Sequence, residues 1–145
     1  VVAEFQALMQ DQQLTFTIQT AGACVIHADQ EKVRRIVINL LDNAIRYNQP
    51  GGEIRCRIEP IRAGQGLIAF RLANTGAGID ANDRARVFDQ FYRCEKSRSS
   101  AHGGAGLGLT IVKRIVELHG GSITVASEAP NWTVFVVTLP MGRAA

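Results

Sequence analysis

Between Asn74 and Gly104 the chain loses the regular hydrophobic spacing it shows elsewhere, and glycines crowd both ends of this stretch. Loops of about thirty residues are uncommon inside a compact domain and are usually functional. The segment must therefore be carried as an excursion from a core built by the flanking elements. With 145 residues, 46% of them hydrophobic and 20% charged, the chain can build such a core and falls outside the composition of disordered proteins. A chain this long buries roughly 70% of its unfolded surface. No apolar run approaches the roughly 18 residues of a membrane span, and the first residues lack the basic, apolar and small-residue succession of a signal peptide. The expectation is a soluble single domain spanning residues 1–145.

The net charge of +3 is spread over scattered Lys and Arg among Asp and Glu, which does not point to nucleic acid. Three dispersed cysteines, Cys24, Cys56 and Cys94, suit neither a disulfide framework nor a zinc site. His27, His102 and His119 are equally dispersed, so no metal-ligand spacing arises from them.

The remaining segments read clearly. Val1 to Gln13 has the pattern of a short amphipathic helix with Phe5 and Leu8 inward, followed by a strand on Leu14, Phe16 and Ile18. Cys24 to His27 is a candidate for a second, short strand. Asp29 offers a capping carboxylate to a long helix whose apolar residues Val33, Ile36, Val37, Leu40, Leu41 and Ala44 recur at three- and four-residue steps, as far as the breaker Asn48 to Gly52. Ile54 to Ile61 and Leu67 to Leu72 read as a hairpin, with Pro60 making the end of the first strand irregular. A short helical stretch is expected near Asp80 to Phe88, and a helix from Leu107 to His119 ended by Gly120 and Gly121. Ser122 to Ser127 and Thr133 to Leu139 close the fold as a strand pair. One domain with helices layered on a mixed sheet follows.

At about 100° per residue, Asn39, Asn43 and Arg46 fall within roughly 60° of one another on the long helix, opposite its apolar stripe. Two amides and a cation on one face suit either a solvated surface or a ligand. Asn74 to Ile79 turns sharply at a strand end with Gly76 and Gly78, which permit close approach of another group. Gly103, Gly104, Gly106 and Gly108 place four glycines in six positions where a helix begins. Backbone N–H groups bared by glycine at a positive helix end favour an anion, most often phosphate. Between these clusters Phe88, Phe91 and Tyr92 can pin a loop to the core, while Arg93, Lys96 and Arg98 leave it locally positive.

In combination, NLLDNAIRY at 39–47, NTGAGI at 74–79, FDQFYR at 88–93 and GGAGLGL at 103–109 resemble the asparagine, first glycine, phenylalanine and second glycine boxes of sensor histidine kinase catalytic domains, members of the superfamily of gyrase, mismatch-repair and chaperone ATPases. HGGSITVASE and VFVVTLP are similar to that family's last two strands. The resemblance implies an α/β (α+β) two-layer sandwich of the Bergerat type, about three helices on a mixed five-stranded sheet, with a mobile ATP lid at about 78–104.

It further implies ATP and Mg²⁺ as cofactors. Asn43 would coordinate the metal through its amide oxygen, Asn39 would assist at the metal or phosphates, Arg46 would contact phosphate and Tyr47 would lie beside adenine. Arg93 would stabilise charge on the γ-phosphoryl group, joining Asn39 and Asn43 as catalytic residues. Asn74, Gly76, Gly78, Ile79, Lys96, Gly104, Gly106, Leu107 and Gly108 complete the nucleotide-binding set. Asn74 stands where the family usually has Asp, and Ala105 where it has a hydroxyl residue. An amide at 74 offers adenine a neutral hydrogen bond and, by flipping, can donate to guanine O6. Asn74→Asp is therefore expected to tighten adenine nucleotides and sharpen their selection over guanine.

Hydrolytic members carry Glu where this chain has Asn39, and an amide cannot act as general base for water. Transfer to a histidine fits better, and that histidine would sit on a separate helical dimerisation and phosphoacceptor domain. The implied setting is the cytoplasmic part of an inner-membrane sensor that signals to a response regulator. An anti-sigma-type serine kinase and a nucleotide-binding module with weak or no catalysis stay open as alternatives.

Overall fold

A computed structural model of the chain describes residues 1–22, 24–61, 66–89, 108–128 and 131–141. In chain order the elements are α1 (Val2–Asp11), β1 (Thr15–Thr20), α2 (Gln30–Arg46), β2 (Glu53–Ile61), β3 (Leu67–Thr75), α3 (Ala81–Arg84), α4 (Gly108–Leu118), β4 (Ser122–Glu128) and β5 (Trp132–Pro140). The strands form one sheet in the order β1-β2-β3-β5-β4, with β1 parallel to β2 and the other pairs antiparallel. This is the mixed five-stranded sheet expected from the sequence. The four-residue α3 is additional to the three longer helices.

α2 begins where its cap directs. The Asp29 carboxylate accepts hydrogen bonds from the backbone N–H groups of Glu31 and Lys32, satisfying two donors that a helix start leaves open. Its buried residues Ile36, Leu40, Leu41, Ala44 and Ile45 form one stripe, which meets Val112, Ile115 and Val116 of α4 and the inner sheet residues Ile54, Cys56, Leu72, Phe135 and Val137 in a single core. Burial of the Cys56 side chain pushes its thiol up to about 11, because the thiolate loses its hydration there.

α2 and α4 run antiparallel, tied at one end through His119. Its Nε2 accepts from the Asp29 N–H (3.3 Å) and its Nδ1 lies 2.8 Å from the Ile115 carbonyl oxygen, so the proton is assigned to Nδ1. α1 is joined to α2 by an exposed ion pair between Glu4 and Arg34, which holds the Glu4 carboxyl below its usual range.

The other sheet face has the polar alternation of an antiparallel sheet open to water. There Arg71 pairs with Glu128 (3.7 Å), and the strand register carries that pair diagonally over β5 above Val134, which is 3% exposed. Arg55 stacks on Trp132 at 4.5 Å from the ring centroid.

Three local expectations change. On α1, Phe5 packs on the core as expected, but Leu8 is 48% exposed and Met9 is the buried residue beside it, because the helix is turned by about one residue from the face read in the sequence. Cys24 to His27 forms no strand: after β1 the chain must cross from the sheet edge to the start of α2, and it spends these residues on that crossing, with Ile26 packed on the core. Pro60 does not interrupt β2, whose pairing with β3 continues through Pro60 and Ile61. β1 ends opposite Ile58, so beyond it that side of β2 is an edge where a missing N–H costs no ladder bond. Among the described residues no helix is long and apolar enough to cross a membrane.

Candidate functional site

The antiparallel pairing of α2 with α4 brings the two asparagines to the beginning of α4. Asn39 sits directly against Gly108: a Cβ added to that glycine would lie 3.8 Å from the Asn39 side-chain oxygen. On the same amide, Nδ2 is buried without a hydrogen-bond partner. An unsatisfied buried donor costs about 1–3 kcal/mol and is rare without a functional reason. Here the donor lies beside the first turn of an eleven-residue helix, whose leading N–H groups also lack intrahelical partners. Asn43, one turn further along α2, is half-buried on the same face. Arg46 is exposed and its Nε donates to Asp42 Oδ2 at 2.9 Å, a pairing across one helical turn that the sequence reading did not anticipate.

The N–H donors would suit a phosphate chain, and the neighbouring Asn43 amide oxygen would suit a Mg²⁺ ion carried by it. Among the described residues there is no group of three or more His, Cys, Asp or Glu that could cage a metal. A site with one amide oxygen supplied by Asn43 leaves most of the coordination to phosphate and water, which suits an ion that sheds water reluctantly. The buried Asn39 donor and the α4 terminus would then be the groups left for the phosphate oxygens.

The end of α2 is locked to the end of β3. Thr75 Oγ1 donates to Asn48 Oδ1 (2.7 Å) and accepts from the Glu53 N–H (2.8 Å), while Asn48 Nδ2 donates to the Glu53 carbonyl (3.1 Å). Gly76 follows with φ +145°, a conformation L side chains rarely adopt, and a Cβ there would collide with the Tyr47 carbonyl oxygen. Tyr47 itself caps α2 and is half-buried. The asparagine-bearing helix and the first glycine turn are thus one rigid corner.

Asn74 lies at this corner, 4% exposed on the core-facing side of β3. Its Nδ2 donates to the Thr75 carbonyl at 2.9 Å. That partner orients the amide, since the reversed orientation would set two oxygens against each other. Thr133, also 4% exposed, is its neighbour across the sheet. Nothing in the sequence sets Thr133 apart, because threonine in a strand reads as an ordinary strand former; only its register opposite Asn74 brings it to this corner.

Gly78 (φ +77°) and Ile79 continue the turn towards α3, and Ile79 packs on the core. Phe88 is held by the Thr110 hydroxyl, which donates to its carbonyl at 2.9 Å, and packs edge-to-face on Phe135 with ring centroids 6.2 Å apart. Lys113 Nζ lies 5.8 Å from the centroid of the same ring. The start of the phenylalanine box is therefore bound to the first turn of α4. The expected site residues Arg93, Lys96, Gly104, Gly106 and Leu107, and with them Ala105, lie outside the described residues, as does most of the segment read as a lid. The structure brings together Asn39, Asn43 and Gly108 at one end of the site, and Tyr47, Asn74, Gly76, Gly78 and Ile79 at the other.

Helices over one face of a mixed five-stranded sheet are an architecture that this chain shares with a known class of proteins. The chain belongs to that class, the histidine kinase-, DNA gyrase B- and HSP90-like ATPases, whose family pattern it matches over residues 28–143. It is 33% identical over 141 residues to the sensor histidine kinase TmoS of Ectopseudomonas mendocina, covering 97% of this chain and 14% of TmoS. The mycobacterial sensor histidine kinase MprB superposes with a TM-score of 0.82 at 30% identity, covering 99% of this chain and 94% of the solved one. Full-length ShkA in complex with AMPPNP gives a TM-score of 0.83 at 26% identity, covering 99% of this chain and 29% of that one. Within the family the chain is a catalytic, ATP-binding domain of the sensor histidine kinase kind, with the Bergerat fold. It spans a small fraction, 14% and 9%, of relatives such as TmoS and hybrid histidine kinase D of Dictyostelium discoideum.

Proposed function

We propose that the chain binds Mg-ATP at this corner and transfers the γ-phosphoryl group to a histidine on a separate helical phosphoacceptor domain. The observation that carries this reading is the unpartnered, buried Asn39 Nδ2 beside the first residue of α4. Asn43 would hold Mg²⁺, which when bound offsets the negative charge of the phosphates. Asn39 and the α4 N–H groups would orient the phosphate chain, Arg46 would reach it by exchanging its hold on Asp42, and Arg93 and Lys96 would approach from the facing segment. Tyr47, Asn74, Gly76, Gly78 and Ile79 would line the base, with Thr133 beside them. At the position where the hydrolytic relatives carry their general-base Glu this chain has Asn39, whose amide cannot take the proton of water, which favours a histidine acceptor. In the transfer the acceptor imidazole nitrogen bonds to phosphorus as the bond to the β-γ bridging oxygen breaks; ADP leaves and the imidazole proton passes to solvent.

His119 is a poor acceptor, because its Nε2 already accepts a backbone N–H and its Nδ1 faces a carbonyl. Incubated with radiolabelled ATP, the chain alone should stay unlabelled, and an added acceptor helix bearing a histidine should gain acid-labile phosphate. Stable labelling of the chain itself, or no transfer to any acceptor helix despite ATP binding, would overturn the reading. The parent is proposed to be an inner-membrane sensor with this domain on the cytoplasmic side, signalling to a response regulator.

The hydrogen bond from Asn74 to Thr75 revises the expectation for that position. Flipping the amide to serve guanine O6 would face its oxygen to the Thr75 carbonyl, so the parent chain is expected to favour adenine, though less strictly than a carboxylate would, because Nδ2 keeps a second N–H. Asn74→Asp gains a charge-assisted bond to the adenine amino group, a difference on the order of 1 kcal/mol or about tenfold in affinity. It also loses the buried bond to Thr75, at about 1–3 kcal/mol of stability. Calorimetric titration with ADP should show the tightening, and denaturant unfolding without nucleotide should show the loss. Unchanged affinity would mean that residue 74 does not face the base.

A further inference from the structure

The turn at 76–79 does not hang freely from β3. In the strand order β3-β5-β4 it crosses the end of β5 to reach β4, a span of about 10 Å at the usual strand spacing. It is fastened at both ends of the crossing. The Gly76 N–H donates to the Asn131 carbonyl at 3.1 Å, at the foot of β5. On β4 the Ser127 hydroxyl takes both backbone groups of Ile79, accepting from its N–H at 3.3 Å and donating to its carbonyl at 3.0 Å. One side chain thus stands in for a strand partner at the sheet's edge. Ser127 ends a polar row on the core-facing side that runs through Asn74 and Thr133 in register. Gly78 keeps the approach open: a Cβ there would already be in contact with Ser127 Oγ, 3.8 Å away.

We infer that Ser127 is a positioning residue for the nucleotide base, setting the height of the 76–79 turn over the pocket through its two bonds to Ile79. This rests on the reading of that corner as the base site. A hydroxyl is required because a single group must both accept and donate, and serine and threonine supply that on a short side chain. Among the described residues, Asn39 and Asn43 on α2, the end proposed to face the metal, share no hydrogen bond with Ser127 and are expected to be indifferent to it.

The test compares Ser127→Ala and Ser127→Thr with the parent chain, titrating ADP with Mg²⁺ and again with EDTA. Ser127→Ala is expected to weaken ADP by about three- to tenfold, as loss of one or two net hydrogen bonds would. Ser127→Thr should retain parental affinity. The ratio of affinities with and without Mg²⁺ should stay at its parental value in both variants, as a change confined to the base end requires, and denaturant titration should show Ser127→Ala fully folded under the binding conditions, so that the loss is not one of folded fraction. ADP affinity within twofold of the parent in Ser127→Ala, an equal loss in Ser127→Thr, or a changed Mg²⁺ ratio would each overturn the inference. Failure of the parent chain to bind ADP at all would instead overturn the assignment of the base site.

Discussion

Replacing Asn43 by alanine should remove the Mg²⁺ dependence of nucleotide binding while leaving the fold intact. The described residues gather no carboxylate cage that could take over the ion, so on the proposed reading the amide oxygen would be the chain's contribution to a coordination shell otherwise made of phosphate and water. Losing it leaves the ion attached only through the nucleotide, and the affinity gained on adding Mg²⁺ should fall by about a hundredfold, roughly 2.7 kcal/mol. The helix tolerates the change: Asn43 is half-buried away from the apolar stripe, and alanine has the higher helix propensity by several tenths of a kcal/mol. Asn43→Asp should keep the metal but weaken the triphosphate by adding a negative charge beside it. Calorimetric titration of ADP and ATP in Mg²⁺ and in EDTA reads both effects. A parental Mg²⁺ response in Asn43→Ala would move the metal elsewhere.

Gly76→Ala should cost about 3 kcal/mol of stability, among the larger effects available to a single methyl group. Two penalties coincide there. The backbone stands at φ +145°, where a side chain is strained by about 1–3 kcal/mol, and the new Cβ meets the carbonyl oxygen of Tyr47, whose own N–H closes the last turn of α2 on the Asn43 carbonyl, so that the residue cannot retreat without opening that helix end. Gly51 is the control, since it too has a positive φ, +76°, but an added Cβ meets nothing within 4 Å. Gly51→Ala should therefore cost only about 1 kcal/mol, the conformational part alone. Denaturant unfolding of the two variants separates the terms, and for a domain this size the difference corresponds to several degrees in Tm. If Gly76→Ala proved no worse than Gly51→Ala, the contact with Tyr47 would not constrain the corner.

Much of this was legible in the residues because it depends on local spacing. The cap at Asp29, the apolar stripe of α2 and the shared face of Asn39 and Asn43 follow from helical geometry alone, and the structure places them as read. The hairpin of β2 and β3 and the closing pair β4 and β5 follow from alternation. What escaped joins residues far apart in the chain. Thr75 meets Asn48 across 27 positions, and Ser127 meets Ile79 across 48; no periodicity relates such pairs. Cys24 to His27 went wrong for the opposite reason: its short apolar run has strand character, but the path from β1 to α2 leaves no partner for it. The orientation of Asn74 was equally hidden, since it depends on a neighbouring carbonyl whose direction only the folded β3 end determines.

The bond between His119 and Asp29 makes α4 a lever. The helix is anchored to the start of α2 at its far end, while Gly108 at the near end faces Asn39. Any displacement of Gly108 that preserves the anchor is a swing about His119 and not a slide along α2. Over a helix of about 16 Å, a 1 Å movement at the tip is a tilt of roughly 4°. Thr110 rides on that tip and grips the Phe88 carbonyl, so a swing of α4 also pulls on the backbone at Phe88.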